Sequence, residues 1–191
     1  MGYLGKRISP YGLLHRTAYG WQDLYAQNYP ELGYRLMGNC EVPDLDIFPE
    51  KYGVKDLRFS AGTENKFLHI GIWLTSWLIR AGLPLHLPKY SNFLLNASHV
   101  VFDPLGTDAG GMHMKIYGTN HEGKKFLLKW FIIVRKGHGP NVPVVPAIVL
   151  TRKIFEQNYQ LPGVHTCTGL VTLDEYLDGL KNFSYQTYVE R

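Results

Sequence analysis

The sequence has few cysteines and lacks the short motifs that identify common enzyme classes. Its two cysteines, Cys40 and Cys167, lie far apart and form no Cys-x-x-Cys pair, so a zinc or redox motif is unsupported. Two free thiols fit a reducing compartment, and one disulfide between the two cysteines is the alternative. No P-loop, His-Glu-x-x-His or Gly-x-Ser-x-Gly occurs. Because Gly-x-Gly-x-x-Gly after a strand is also absent, we expect no Rossmann domain and no cofactor or metal bound by this chain alone.

Long apolar runs are lacking as well. The N-terminal residues MGYLGKRISPYG contain no apolar core of signal-peptide length. The most apolar helix candidate, Phe67 to Leu83, is too short and too polar to span a bilayer, since it contains His69 and Arg80. The formal net charge is only +4, and no Lys/Arg run has the density of a nucleic-acid arm. We therefore expect a cytoplasmic, soluble protein with no membrane or nucleic-acid partner.

The residues that are present suit one globular domain. With 191 residues and 45% hydrophobic content, the chain can form a single domain, residues 1–191, with a sizeable core. In residues 1–50 the apolar side chains recur with no clear period, which predicts short strands and loops. Asp44 to Pro49 ends that region with alternating acidic and apolar residues, and we interpret Asp44 and Asp46 as a solvated strand end. Val54 to Ser60 is predicted to be a strand that residues 61–63 break.

Two helices follow in the prediction. The first runs from about Asn65 to Ala81, and its apolar residues cover most of its circumference. A helix that is apolar almost all round is typically buried. A second helix is predicted from Tyr90 to Phe102, where Pro104 stops it. The polar line of the first helix consists of Asn65, His69, Ser76 and Arg80.

A β-hairpin is the clearest strand signal. Met112 to Gly118 and Lys124 to Lys136 flank the turn segment 119–123. An odd number of loop residues keeps the apolar residues of both strands on one face. The second strand has apolar residues on both faces, so it should be central and covered on both sides. The predicted cross-strand pairs are Ile116 with Phe126, Met114 with Leu128, Met112 with Trp130, and His113 with Lys129.

The C-terminal third mixes helices with a last strand. A helix is predicted from Val144 to Gln157. Thr172 and Glu175 form a capping box that starts another helix, continuing to about Asn182. Tyr185 to Val189 is predicted to be a strand. Without strict βαβ alternation, the class is α+β, with a largely antiparallel sheet and helices packed on it.

The segment Arg135 to Ala147 (RKGHGPNVPVVPA) is the strongest candidate for a binding loop. Its pattern predicts a strand end, then a glycine loop, and then a helix whose first turn contains prolines. Free N–H groups of a first helical turn could face an anion at the loop. The alternative is a tight strand-to-helix connection that binds nothing.

Several segments in order resemble a known family. They resemble the carboxy-terminal half of saccharopine dehydrogenase-like proteins, from about Trp21 onward. That family joins an amino-terminal Rossmann domain to an α/β domain that binds substrate and supports dimer contacts. The segments are CEVPDLDIFP (40–49), SAGTENKFLHIGIWLTSWLIRAG (60–82), GTDAGGMHMKIYG (106–118), GHGPNVPVVPA (137–147) and HTCTGLVTLDEYL (165–177).

The resemblance implies a substrate-side and oligomerisation domain of an NAD(P)-dependent oxidoreductase acting on an amino-acid-type substrate. We expect such a chain to be inactive alone, to form a homodimer, and to need a Rossmann domain in cis or in trans. The alternative is a non-catalytic interaction or small-ligand-binding module with the same fold. A third hypothesis, a thiol hydrolase using His165 and Cys167, lacks an orienting group and an oxyanion loop.

A substrate with several carboxylates and an amine favours Arg or Lys side chains and backbone N–H donors. Arg58 and Arg80 match this requirement for cationic side chains, although Arg80 equally suits the C-terminal end of a helix. His113 and His138 are the acid–base candidates because histidine titrates near neutrality, and each has a surface role as its alternative. The nearby Lys129 is expected to lower the pKa of His113. The substrate-binding candidates are Gly110, Gly111, Gly137, Gly139, Pro140 and Arg152.

Overall fold

A computed structural model describes residues 3–11, 16–85, 87–102, 104, 106–156, 160 and 162–191. These residues form an α+β fold, as predicted. The strands are β1 (Arg7–Tyr11), β2 (Arg16–Tyr19), β3 (Tyr25–Tyr29), β4 (Gly33–Asn39), β5 (Ser60–Gly62), β6 (Gly110–Thr119), β7 (Lys125–Val134) and β8 (Tyr185–Glu190). The helices are α1 (Asp44–Tyr52), α2 (Lys66–Arg80), α3 (Ser91–Phe102), α4 (Val145–Glu156) and α5 (Leu173–Gly179).

The chain groups into two compact units. The first comprises Met1–Asn28 and Gly33–Thr107, and the second comprises Tyr29–Leu32 and Asp108–Arg191. Each unit has its own cluster of buried apolar side chains. The expectation of a single domain over 1–191 stays a prediction.

In the first unit, β1 and β2 pair as an antiparallel hairpin, and β3, β4 and β5 form a second sheet. Ile8 of β1, Ala18 of β2 and Leu45 of α1 form the core cluster. The prediction of a strand end at Asp44 to Pro49 is wrong, because these residues begin α1. Two acidic residues in a first turn interact favourably with the helix dipole, and Gly53, with φ 63°, ends the helix in a left-handed conformation.

The strand predicted from Val54 to Ser60 is also wrong. Only Ser60–Gly62 is β-structure, and it pairs with Met37–Asn39 of β4. The preceding residues are held by side-chain contacts instead. The Arg58 guanidinium lies 4.4 Å from the centre of the Tyr25 ring and donates to the Asp23 carbonyl at 2.5 Å. Tertiary contacts therefore override the β propensity of this segment.

The predicted helix at 65–81 is confirmed, but its predicted burial is wrong. The Asn65 side chain caps α2 by accepting from the backbone N–H groups of Phe67 and Leu68. The buried residues are His69, Ile72 and Ser76, so the middle of the predicted polar line faces inward. The exposed side of α2 is apolar and consists of Phe67, Ile70, Leu74, Trp77 and Leu78.

Contacts with side chains of the first unit explain why the polar side of α2 faces inward. The Arg80 guanidinium donates to the Gln22 side-chain oxygen at 2.7 Å and lies 3.8 Å from the centre of the Tyr19 ring. His69 is fully buried beside the Trp21 ring. The first unit therefore offers α2 a polar and aromatic surface. The second predicted helix is confirmed as α3, and none of its described residues is buried.

The second unit is built on an antiparallel sheet with the order β6-β7-β8. β7 is central, as predicted, but only Phe131–Val134 of its described residues are fully buried. The predicted hairpin faces are correct, whereas the predicted register is wrong by two residues. Ile116 pairs with Leu128 rather than with Phe126, because the loop consists of residues 120–124 instead of the predicted 119–123. The Asn120 side chain sets that loop by accepting from the N–H groups of Glu122 and Lys124.

Helices α4 and α5 pack on one face of this sheet. Of the predicted helix from Val144 to Gln157, α4 covers Val145–Glu156, while Gln157 lies outside the described residues. The capping box of Thr172 and Glu175 is confirmed at the start of α5, which ends at Gly179 rather than near Asn182. The last strand is confirmed as β8. The core cluster of the second unit consists of Ile132, Val134, Val142, Val145, Val149 and Leu180.

Candidate functional site

An open cleft of about 220 Å³ lies in the second unit, where β6 begins and β7 ends. Gly110 pairs with Val134, so the two strand ends are neighbours. Gly139, from the glycine loop that follows β7, also lines the cleft. Three of the predicted substrate-binding residues thus meet at one place. The lining residues are Gly110, Gly111, Met112, Val134, Gly139 and Val142.

Asp108 holds the glycine loop against the start of β6. Its carbonyl accepts from the Gly137 N–H at 2.9 Å, and its side chain accepts from the Lys136 N–H at 3.1 Å. Lys136 and Gly137 have φ values of 58° and 67°, so two consecutive residues are left-handed. Asp108 is not among the site residues predicted from the sequence. Its signal is an aspartate, a residue that often accepts from backbone N–H groups, just before two glycines.

The glycines of the cleft differ in how much room surrounds them. No atom outside the immediate chain neighbours lies within 4 Å of a Cβ built on Gly110 or on Gly139. A Cβ on Gly111, in contrast, would lie 2.9 Å from Ile133 Cδ1 and 3.1 Å from Tyr29 Cδ1. The backbone is therefore approachable at Gly110 and Gly139, while Gly111 is needed for packing.

The other substrate-binding candidates lie elsewhere. Gly137 ties the loop to Asp108, and Pro140 is exposed in a short 3-10 turn, Gly139–Asn141. Arg152 is exposed on α4, and none of the three lines the cleft. α4 begins at Val145, beyond a further turn after Pro140, so its first N–H groups do not directly follow the loop.

His113 packs on the opposite face of β6 from Met112. It pairs across the strands with Phe131 rather than with the predicted Lys129, and the two rings stack. Its Nδ1 lies 2.8 Å from the hydroxyl of the buried Tyr29. The pKa of His113 is lowered to about 4, as expected in direction, first by burial and second by the charge of Lys115. His113 is thus a neutral packing residue, and it is not among the residues that line the cleft.

A polar cluster around Glu31 lies in the same unit. Arg135 forms an ion pair with the Glu31 carboxylate, and the Tyr188 hydroxyl donates to the same carboxylate. Hydrogen bonds from Tyr188 and Arg135 lower the pKa of Glu31, and the bond to Glu31 raises the pKa of Tyr188. No sequence motif predicts this cluster, because Glu31 is 104 residues from Arg135 and 157 from Tyr188.

The remaining histidine candidates have structural partners. His138 Nδ1 accepts from the Ser184 N–H at 3.2 Å, and the ring packs edge-on against Phe183. His165 Nε2 lies 2.7 Å from the Pro162 carbonyl oxygen, which fits a donor role for that nitrogen. Residues 162–167 form no strand, so strand alternation does not place His165 and Cys167 on one face. Cys40 is half-buried and Cys167 is exposed, and both thiols are free.

Chemically, the cleft suits binding better than catalysis. Its described lining contains only glycine, valine and methionine, so it offers backbone groups and apolar contacts without a proton donor or a fixed charge. In the described part of the chain, no group of three His, Cys, Asp or Glu side chains is arranged to hold a metal ion. Both Arg58 and Arg80 belong to the first unit and are engaged there with Asp23 and Gln22.

The sequence matches no family model and no curated protein. Across the described helices, none is both long enough and apolar enough to cross a bilayer.

Proposed function

We propose that the chain is the substrate-side and oligomerisation part of a saccharopine dehydrogenase-like, NAD(P)-dependent oxidoreductase acting on an amino-acid-type substrate. The observation that carries this proposal is the meeting of two glycine segments at one cleft. Gly110 and Gly111 come from one segment that resembles the family, and Gly139 comes from another, 28 positions further along the chain.

In this proposal the cleft holds the substrate through backbone groups. Gly110 and Gly139 leave the main chain approachable, and Val134 and Val142 supply an apolar wall. The described lining contains no Arg or Lys, so the carboxylates of the substrate would need charges from outside the cleft. Hydride transfer would need a Rossmann domain in cis or in trans, and the complex would be cytoplasmic and homodimeric.

One observation favours the alternative of a non-catalytic interaction or small-ligand-binding module. Neither of the two histidine candidates lines the cleft, and both are used in packing or in a backbone hydrogen bond. A module that binds without reacting needs no proton donor at its site.

A pair of variants tests the cleft. We expect Gly139→Val to weaken binding of a dicarboxylic amino acid by more than about tenfold, because the new side chain occupies open space in the cleft. Gly71→Val in α2 is the matched control, because it adds the same side chain where no atom lies within 4 Å of the Cβ, and it should leave this affinity unchanged. Isothermal titration calorimetry with L-glutamate measures both. Equal affinities of wild type and Gly139→Val would contradict the proposal, and binding of a protein partner indifferent to Gly139→Val would favour the alternative.

A second titration tests whether nucleotide binding depends on a separate Rossmann domain. We expect no binding of NAD⁺ or NADP⁺ by this chain alone, since the nucleotide fingerprint is absent from its sequence. A micromolar dissociation constant for either nucleotide would show that the chain carries its own cofactor site and would contradict the proposal.

A further inference from the structure

One face of the sheet in the second unit carries two lysines directly opposite each other. Lys115 of β6 pairs across the strands with Lys129 of β7, and Lys129 pairs in turn with Glu190 of β8. Side chains of directly paired residues lie on the same face of a sheet, with their Cβ atoms about 5 Å apart. The three charged groups therefore form one line across the sheet, which we call the lysine row.

Charge compensation within the lysine row is unequal. The Lys129 ammonium forms an ion pair with the Glu190 carboxylate at 2.8 Å. Among the residues that the structure describes, no carboxylate forms an ion pair with Lys115. The single carboxylate of the row therefore holds Lys129 and leaves the amine of Lys115 beside a second cation.

Lys115 is also half-buried, whereas lysine side chains are mostly exposed in folded proteins. Its neighbours on the same face of β6 are His113, whose ring is neutral, and Tyr117. Burial and a nearby cation both penalise an ammonium group more than a neutral amine. Burial first and the charge of Lys129 second lower the pKa of Lys115, and the opposing effect of Glu190 does not cancel them.

A neutral lysine amine is a nucleophile, and desolvation or a neighbouring cation is how proteins activate one. The lone pair of the Lys115 Nζ forms a bond to the carbonyl carbon of an aldehyde. The carbonyl oxygen then leaves as water with the two protons of the amine, and a C=N double bond remains. Nothing is oxidised or reduced in this step, so it needs no cofactor.

The surroundings of Lys115 favour an aldehyde with an apolar body. Tyr117 pairs across the strands with Leu127, so an exposed aromatic ring and a half-buried aliphatic side chain lie on the same face, beside the lysine row. The ion pair of Lys129 with Glu190 has no net charge with which to attract an ionic substrate.

The lysine row is separate from the substrate cleft. Ile132 and Val134 belong to the core cluster that includes residues of α4, and they alternate with Lys129 along β7, so the row lies on the other face of the sheet. Along β6, Lys115 is five positions beyond Gly110, which corresponds to about 17 Å.

We propose that Lys115 binds small aliphatic aldehydes covalently, as an imine formed in the lysine row. This site is independent of the proposed function, which rests on the glycine cleft.

Reductive labelling of the full chain tests the proposal. The protein is incubated at about pH 7 with propanal and cyanoborohydride, which reduces an imine to a stable secondary amine. Chymotryptic peptides are quantified by mass spectrometry at low conversion. We expect Lys115 to be labelled at least about threefold faster than Lys125, an exposed lysine on the same face of β7, because more of its amine is neutral.

Two variants separate the effect of the neighbouring charge from a general effect on the sheet. Lys129→Gln removes the cation opposite Lys115 and releases Glu190 from its ion pair, and both changes favour the ammonium form of Lys115. Labelling of Lys115 should therefore slow about threefold, and its rate profile should shift to higher pH. Lys125→Gln is the matched control, because it removes the same charge from the same face of β7, and it should leave the rate at Lys115 unchanged. Circular dichroism should show the wild-type fold for both variants.

Three results would overturn the proposal. Lys115 could be labelled no faster than Lys125 in wild type. Lys129→Gln could leave both the rate at Lys115 and its pH profile unchanged. Lys125→Gln could slow the labelling of Lys115 as much as Lys129→Gln does, which would mean that the direct neighbour across the strands has no special effect.

Discussion

His113 should make folding sensitive to mild acid. Its pKa in the folded protein is about 4, below its ordinary value of 6.5, so the unfolded chain binds the proton more readily. The stability associated with the neutral ring is therefore complete above the ordinary pKa and is lost as the pH falls from 6.5 towards 4. A shift of this size corresponds to about 3 kcal/mol.

Urea denaturation at about pH 7 and about pH 4.5 measures this loss through the free energy of unfolding. The variant His113→Gln keeps a side-chain acceptor near the Tyr29 hydroxyl but does not titrate in this range. We expect it to lose less stability than wild type over the same interval. Equal losses would mean that other groups govern the acid sensitivity.

The two adjacent glycines of β6 should respond differently to a side chain. Gly111→Val should cost about 1–3 kcal/mol of unfolding free energy, because its Cβ meets Ile133, Tyr29 and Leu32 at 3.2 Å or less. Gly110→Val should cost less, since no atom lies within 4 Å of its Cβ. Thermal unfolding of both variants gives the comparison. If Gly110→Val proved the more harmful, the packing described around Gly111 would be wrong.

Among the helices, α5 depends visibly on its first turn. The Thr172 hydroxyl accepts from the Glu175 N–H, and the Glu175 carboxylate accepts from the Thr172 N–H at 2.8 Å. Thr172→Ala should therefore destabilise the protein by about 1 kcal/mol. Thr151→Ala in α4 is the control: its hydroxyl bonds the Ala147 carbonyl within the helix, so its loss should be neutral or slightly stabilising. Chemical denaturation that gave equal costs would argue against the capping box.

Patterns among neighbouring residues predicted most helices and strands. The features that they did not predict depend on contacts between residues far apart in the sequence. The capping box, the hairpin faces and the bounds of α2 depend on neighbouring residues, and the sequence predicted them. The hairpin register depended on the Asn120 side chain accepting from two N–H groups, which hydrophobic alternation alone does not reveal. The inward side of α2 depended on Gln22, Tyr19 and Trp21 of the same unit, which a helical period cannot foresee.

The cleft was partly predictable for the same reason. Gly110, Gly111 and Gly139 stand out as glycines at a strand start and in a loop, and they do line one cleft. Arg152 was chosen for its charge and its position after the loop, but its place on α4 leaves it exposed and outside the lining. Tyr29, Glu31 and Tyr188 carry no local motif, so only the folded chain reveals their contacts with His113 and Arg135.

For the whole molecule, the proposed homodimer has a candidate contact in the second unit. β6 is an edge strand of ten residues, and the sheet face that includes Met114, Ile116 and Phe126 is more than a third exposed at each of these side chains. Exposed edges and apolar sheet faces favour association. We expect a dimer by light scattering, and Met114→Asp should shift it to monomer. Val164→Asp, in a fully exposed loop position, should leave the dimer intact; a monomeric wild type would contradict the prediction.

The distribution of the two free thiols has a practical consequence. Cys40 belongs to the first unit and Cys167 to the second, so each unit holds a single attachment point. Burial raises the pKa of Cys40, while Cys167 is exposed, so a maleimide should react with Cys167 first. Labelling Cys167 with one fluorophore and Cys40 afterwards with another yields a donor–acceptor pair without any engineered residue. The native chain thus already carries the reporter needed to follow the separation of its two units by energy transfer as ligand is added.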